Sequence, residues 1–188
     1  MKNAFIEAIE DSPVIGAAKD MQGLERCLAS NVGVVFILFG DICSIADIVD
    51  KAKAAGKLAV VHMDLIGGLA AKEIAVDFIK KYTAADGIIT TKAPLVRRAG
   101  ELGLYSVLRF FVIDSKAYEN INKQLAAARP DVIEVLPGLI PKVIKRLAAE
   151  CSVPVIAGGL IADREDVIAM LGAGAAAIST TNEETWFM

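Results

Sequence analysis

Leu58-Ala59-Val60-Val61-His62, followed by Ile74, Ala75, Phe78 and Ile79 at helical spacing and then by Gly87-Ile88-Ile89-Thr90, decides the fold. The first and last runs are short, β-branched and almost wholly apolar, as in strands buried on both faces. The middle segment repeats its apolar residues every three to four positions, as an amphipathic helix does. Two such strands joined by a helix make a parallel crossover unit, because a tight hairpin cannot connect parallel neighbours.

The same unit recurs on both sides. Before it stand Val14-Ile15-Gly16-Ala17 and Val34-Val35-Phe36-Ile37-Leu38; after it stand Tyr105-Ser106-Val107-Leu108-Arg109, Val132-Ile133-Glu134-Val135, Val155-Ile156-Ala157 and Ala176-Ala177-Ile178-Ser179. Helical spacing fills the gaps, as at Ile45, Ile48, Val49 and Ala52 and at Val143, Ile144, Leu147 and Ala148. Eight βα units predict a closed (β/α)8 TIM barrel; an open doubly wound sheet has fewer strands and a glycine-rich first turn, whereas here Ala18-Lys19-Asp20-Met21 follows the first strand. The 188 residues allow about 23 per unit, so residues 1–188 are expected to form one compact barrel domain with no long lid. Gly56, Gly103 and Gly172 to Gly174 fall where helices should stop.

Composition narrows the function classes. The chain is 55% hydrophobic and 23% charged, with a net charge of −3, which excludes a strongly basic nucleic-acid binder. No apolar run approaches the ~18 residues of a membrane span, and Met1 to Glu7 lacks a signal-type apolar core, so the expected location is cytoplasmic. Cys27, Cys43 and Cys151 are odd in number and far apart, which predicts neither a disulfide framework nor a thiolate metal site.

In such a barrel the functional groups gather at the C-terminal strand ends. Counting by twos along each strand, Val35, Ile37 and Phe39 lead to Asp41; Leu58 and Val60 lead to His62 and Asp64; Ile88 and Thr90 lead to Lys92; Tyr105 and Val107 lead to Arg109; Val132 leads to Glu134. Five consecutive strands ending in inward ionisable groups predict a site, because an unpaired charge at a barrel mouth is costly. A ring of ion pairs, with Lys92, Arg109 and Lys19 offsetting the acids, accounts for the balance of charge but not for its location.

The last two strands end differently. Ala157-Gly158-Gly159-Leu160-Ile161 and Ser179-Thr180-Thr181-Asn182, the latter before a final short helix, offer close backbone approach, hydroxyl donors and a helix N-terminus. Gly158, Gly159, Ser179 and Thr180 are therefore the expected phosphate-binding residues, in the loops where barrels commonly hold phosphate. A bulky residue at Gly159 is expected to abolish that binding and spare the fold. His62 is the only histidine, which speaks against a histidine metal site, and no serine stands in a nucleophile elbow. No metal and no cofactor are expected.

Basic residues also group outside the mouth, at Lys51, Lys53 and Lys57, at Lys80 and Lys81, at Arg97 and Arg98, and at Lys142, Lys145 and Arg146. Solvated helix faces account for most of them; an RNA surface would need some to merge in space. The apolar end Thr185-Trp186-Phe187-Met188 either packs the last helix on the barrel or forms a subunit contact, as in a homodimer.

Phe39-Gly40-Asp41-Ile42, His62-Met63-Asp64-Leu65-Ile66-Gly67-Gly68-Leu69, Asp86-Gly87-Ile88-Ile89-Thr90-Thr91-Lys92, Arg109-Phe110-Phe111-Val112-Ile113-Asp114-Ser115, Ile133-Glu134-Val135-Leu136-Pro137-Gly138 and Ala157-Gly158-Gly159-Leu160-Ile161 resemble, in order and along essentially the whole chain, the glycerol-3-phosphate-responsive antiterminators. The resemblance implies a bacterial regulator that senses glycerol 3-phosphate, acts on the leader mRNA of glycerol-utilisation operons and has no catalytic turnover. It implies that Gly158, Gly159, Ser179 and Thr180 hold the phosphate. Asp41, His62, Asp64, Lys92, Arg109 and Glu134 then supply polar contacts around the glycerol hydroxyls or close the site. The rival reading is a phosphosugar or glycerol-phosphate barrel enzyme, an isomerase, lyase or transferase using Lys92, Asp41 or Glu134.

Overall fold

A computed structural model describes residues 4–188. Of the N-terminal stretch, Met1 to Asn3 lie outside the described residues, and Ala4–Asp11 form helix α1. Strand and helix then alternate: β1 (Val14–Ala18), α2 (Met21–Leu28), β2 (Val34–Ile37), α3 (Ile45–Ala54), β3 (Leu58–His62), α4 (Glu73–Tyr82), β4 (Gly87–Thr90) and α5 (Ala93–Glu101). The second half continues with β5 (Tyr105–Phe111), α6 (Ser115–Ala128), β6 (Val132–Leu136), α7 (Pro141–Glu150), β7 (Val155–Gly158), α8 (Arg164–Gly172) and β8 (Ala177–Thr180). Every strand pairs in parallel with its neighbours, and β8 pairs with β1, closing the eight-stranded TIM barrel.

Helix starts and stops follow local chemistry. The carboxylates of Asp20, Asp114 and Asp163 accept from backbone N–H groups at the starts of α2, α6 and α8, at 2.7, 2.7 and 2.9 Å. Gly56, Gly103 and Gly174 take positive φ just beyond the ends of α3, α5 and α8. At the N-terminal strand ends, Asp86 accepts from Ala59 N and Asp131 from Ser106 N, both at 2.8 Å, tying each strand to the one before it. No helix among the described residues is long and apolar enough to cross a membrane.

The barrel interior is filled by Ile15, Ala17, Val34, Phe36, Val60, Ile89, Val107, Val132, Ile156 and Ala177. Phe5 and Ile9 of α1 join this interior cluster, and the Phe5 ring stacks on Tyr105 with centroids 5.5 Å apart. Helix α1 therefore lies across the N-terminal end of the barrel, each buried side chain contributing about 1.5–3 kcal/mol. The alternate residues, including Val35, Ile37, Val61 and Ile88, pack outward against helices. Cys27 is buried on that outer side, and burial pushes its thiol up to about 12.

Two strands run in the opposite phase to the one expected. On β2 the inward residues are Val34 and Phe36, not Val35 and Ile37, and on β4 the inward residue is Ile89, not Ile88. Both faces of a buried parallel strand are apolar, so alternation offers no contrast from which to read phase. Counting back from Asp41 and Lys92 also assumes unbroken strands, yet β2 ends at Ile37 and β4 at Thr90, and the chain turns before reaching either charge. On β3, β5 and β6 the expected phase holds, with Val60, Val107 and Val132 inside.

Candidate functional site

Arg109 and Glu134 are direct neighbours in the β5–β6 ladder. The Arg109 guanidinium donates through Nε to Glu134 Oε2, and Ser179 on β8 donates through its hydroxyl to Oε1. Glu134 is fully buried, so its charge depends on these two partners. Between them β7 ends in Gly158, where a Cβ would lie 2.6 Å from both Glu134 Oε1 and Ser179 Oγ. Gly138 allows a further close approach, since its Cβ would meet Gly158 N at 2.8 Å. Three strands, β5, β7 and β8, thus close in on one carboxylate.

The loop after β7 continues through two consecutive left-handed residues, Gly159 (φ +76°) and Leu160 (φ +64°). Its carbonyls are tied back: Gly159 O accepts from Gly138 N at 3.1 Å, Ile161 O from Thr180 Oγ1 at 2.8 Å and Ala162 O from Asn182 Nδ2. The N–H groups of Leu160 and Ile161 have no partner among the described residues, and successive free N–H groups on a turn make a concavity suited to an anion. These residues line a cleft of about 490 Å³ together with Arg109, Glu134, Ser179, Leu38 and Leu136. Only Nε of Arg109 is engaged by protein among the described residues, which leaves its two terminal nitrogens for a ligand.

Other expected groups are differently employed. Thr180 lines the cleft, but its hydroxyl donates to Ile161 O and accepts from Asn182 N at 3.0 Å. The final short helix is a 3-10 turn, Glu183–Phe187, and Glu184 N already donates to Asn182 Oδ1 at 3.0 Å. Its end is packed by Trp186, which is buried and donates to Thr180 O at 3.0 Å, while Phe187 and Met188 stay exposed. Gly159 is not free to change either: its positive φ disfavours a side chain, and a Cβ would meet Leu136 Cδ2 at 3.1 Å. A bulky residue there strains the fold as well as the cleft.

The other side of the mouth is a second, closed set. Asp64, on a 3-10 turn (Met63–Leu65) after β3, accepts from Thr90 Oγ1 at 3.0 Å and from Thr91 N at 2.8 Å, and is ion-paired with Lys92. Burial favours the neutral form of its carboxyl, but the bonds from Lys92, Thr91 and Thr90 outweigh that and hold its pKa below the usual value. Asp41 sits in the exposed loop after β2, its carboxylate turned onto that loop: Oδ1 accepts from Ser44 Oγ at 2.8 Å and from Cys43 N and Ser44 N at 2.9 Å. The Ser44 hydroxyl, then these two N–H groups, lower its pKa.

His62 ends β3 and is 3% exposed. Burial and the nearby Arg109 charge depress its pKa to about 4 against the opposing charge of Asp64, so the ring is neutral at ordinary pH. The barrel brings Arg109, Glu134, Gly159, Ser179 and Thr180 to one cleft with Gly158 packed against Glu134 and Ser179, keeps Asp64 and Lys92 as a separate pair, and leaves His62 and Asp41 outside the cleft lining. Leu160 and Gly138 carry no sequence signal for their roles, since a left-handed leucine is not readable from residue type. No group of three or more potential metal ligands exists among the described residues.

A closed parallel eight-stranded barrel with a cleft at the C-terminal ends of its last strands belongs to the broad class of TIM barrels. Within it the comparisons are specific. The profile of the glycerol-3-phosphate responsive antiterminators matches residues 14–186, and the chain belongs to that family. It is 42% identical over 182 residues to the uncharacterized protein YgcP of Escherichia coli K12, covering 97% of this chain and 95% of that one. Among solved structures it is similar to the glycerol uptake operon antiterminator regulatory protein of Listeria monocytogenes (TM-score 0.90, 32% identity, 94% and 95% of the two chains). A glycerol uptake operon antiterminator-related protein of Thermotoga maritima is also similar (TM-score 0.83, 38% identity, 93% and 98%).

Proposed function

We propose that this chain is a non-catalytic sensor of glycerol 3-phosphate that acts on the leader mRNA of glycerol-utilisation operons in the bacterial cytoplasm, without a cofactor. One observation supports the ligand half above the others: the unpartnered N–H groups of Leu160 and Ile161 share a cleft with the two free nitrogens of Arg109. A phosphate dianion accepts from both, and charge-assisted bonds of this kind are the strong ones. Gly158 admits the carboxylate that aims Arg109, and Ser179 completes that support. Asp64 and Lys92, already satisfied by each other and by Thr90 and Thr91, shape the rim.

Membership in the antiterminator family supports the RNA half. In this reading phosphate draws the Gly159–Ala162 loop into one of two arrangements, and a coupling of about 1–3 kcal/mol suffices to bias RNA affinity. The placement of Lys92 also supports a sensor over imine chemistry, because it is ion-paired with Asp64 and does not line the cleft.

The first test is calorimetry with glycerol 3-phosphate against glycerol and inorganic phosphate. Selective binding with no product formed is the expected result; no binding, or turnover of the ester, overturns the reading. Leader-RNA affinity at matched low salt, with and without glycerol 3-phosphate, then tests the switch, and equal affinities remove it.

A further inference from the structure

Helices α2 to α8 each start at the mouth, where a strand ends, and run back to the base, so the position of a charge along its helix fixes the end it serves. The basic groups on α3, α4 and α5 put Lys51, Lys53, Lys80, Lys81 and Arg98 in last turns, at the base. Lys53 and Arg98 are also paired there, with Asp86 and Asp77. Lys142, Lys145 and Arg146 instead open α7, on the side of the cleft. Lys142 and Arg146 line a groove of about 420 Å³ between the starts of α6 and α7, together with Val112, Ile113, Tyr118 and Glu119. Arg146 lies 4.5 Å over the Tyr118 ring and donates through Nε to Glu150 Oε1 at 2.8 Å, yet its side chain stays 65% exposed. The guanidinium is thus held in place without being enclosed.

We infer that the α6–α7 groove is where single-stranded RNA docks, an unstacked base lying on Arg146 and its phosphates on Lys142 and Lys145. The inference rests on the RNA reading given above and adds the surface that carries it. Bases splayed out of a strand stack on guanidinium planes as they do on aromatic rings. Lys142 and Lys145 share one face of α7 and have no partner among the described residues, so both are free for phosphate. Phe111 and Ile113, 54% and 82% exposed at the edge of the groove, extend the apolar surface for a neighbouring base. Asp114 is taken up in capping α6, and Glu150 by Arg146 and Tyr118, which leaves Glu119 as an acceptor for a base amino group. Leu136 connects this groove to the cleft. Its side chain lines the cleft, where a Cβ on Gly159 would touch it, while its carbonyl accepts from Val112 N at 2.8 Å. It also stands opposite Phe111 in the β5–β6 ladder, so a ligand that shifts the loop after β7 presses on the wall of the groove through packed atoms.

Wild type, Arg146→Ala and Lys142→Gln are compared in binding a random-sequence single-stranded RNA 20-mer that carries 4-thiouridine. Affinity is measured across a salt series, with and without glycerol 3-phosphate, and the variants are judged in whichever state binds RNA more tightly. Arg146→Ala should weaken binding at least fivefold. Lys142→Gln should weaken it about threefold at low salt and reduce the slope of log K against log salt by about 0.7, the loss of one phosphate contact on a single strand. Photo-crosslinks on wild type should fall within residues 111–119 and 141–146. Both variants should bind glycerol 3-phosphate within about twofold of wild type by calorimetry. Lys142→Gln removes no contact within the protein and serves if Arg146→Ala fails to fold. Unchanged RNA affinity and salt slope in the variants, or crosslinks confined to other surfaces, overturns the groove while leaving the RNA reading intact. Wild type that binds no RNA in either state overturns both.

Discussion

Arg109 and Glu134 face each other across the β5–β6 ladder, and the fully buried Glu134 holds the Arg109 guanidinium by its Nε, leaving the other nitrogens to the cleft. A buried ion pair of this kind stabilises little compared with apolar packing, but breaking it leaves one charge unmet. Glu134→Ala is therefore expected to cost about 3–5 kcal/mol in denaturant unfolding. The double variant Arg109→Met/Glu134→Leu should regain most of that stability while binding no phosphate ester. A double variant that still binds would show that the pair is structural alone.

Gly158 leaves room for a carboxylate. Gly158→Ala places a methyl group 2.6 Å from Glu134 Oε1 and Ser179 Oγ, so a loss of about 1–3 kcal/mol is expected from overpacking, together with weaker ligand binding as Glu134 shifts. Wild-type stability and affinity in this variant would sink the packing account.

Leu160 holds a left-handed backbone (φ +64°) while the residue is 72% exposed. The strain of about 1–2 kcal/mol is not repaid by packing. Leu160→Gly should gain a few tenths to about 1 kcal/mol after the added unfolded-state entropy is counted. A loss beyond 1 kcal/mol by chemical denaturation would mean that the leucine makes contacts absent from this state.

The pH dependence of stability has a defined sign. His62 titrates near 6.5 when unfolded and at about 4 when folded, so the unfolded chain binds the extra proton first. Stability contributed by the neutral ring is complete above pH 6.5 and falls as pH drops toward 4, by roughly 3 kcal/mol. His62→Leu should flatten the melting temperature across that window. A profile identical to wild type would assign the acid sensitivity to carboxylates.

The fold was legible because eight apolar runs and their helical partners are each locally consistent, and eight parallel strands have one compact closed solution. Arg109 and Glu134 were legible because β5 and β6 run unbroken to their charges. Asp41 was not, because its carboxylate finds three donors within its own loop, a local solution that inward counting ignores. Thr180 does line the cleft, but its hydroxyl bonds to nearby backbone, a local partnership that the sequence does not announce. The anion cradle was half legible, since paired glycines announce close approach but say nothing of Leu160 sharing their conformation.

Phe5 and Ile9 occupy the base of the barrel, and the consequence is one of traffic. The molecule is a blind-ended vessel: whatever enters at the rim must leave by the rim, and nothing inside is visible from below. A tenant of the cleft can announce itself only through the same loops that admitted it. In the proposed reading, sensing and signalling therefore share one face, and the remaining surface is left to hold the vessel together.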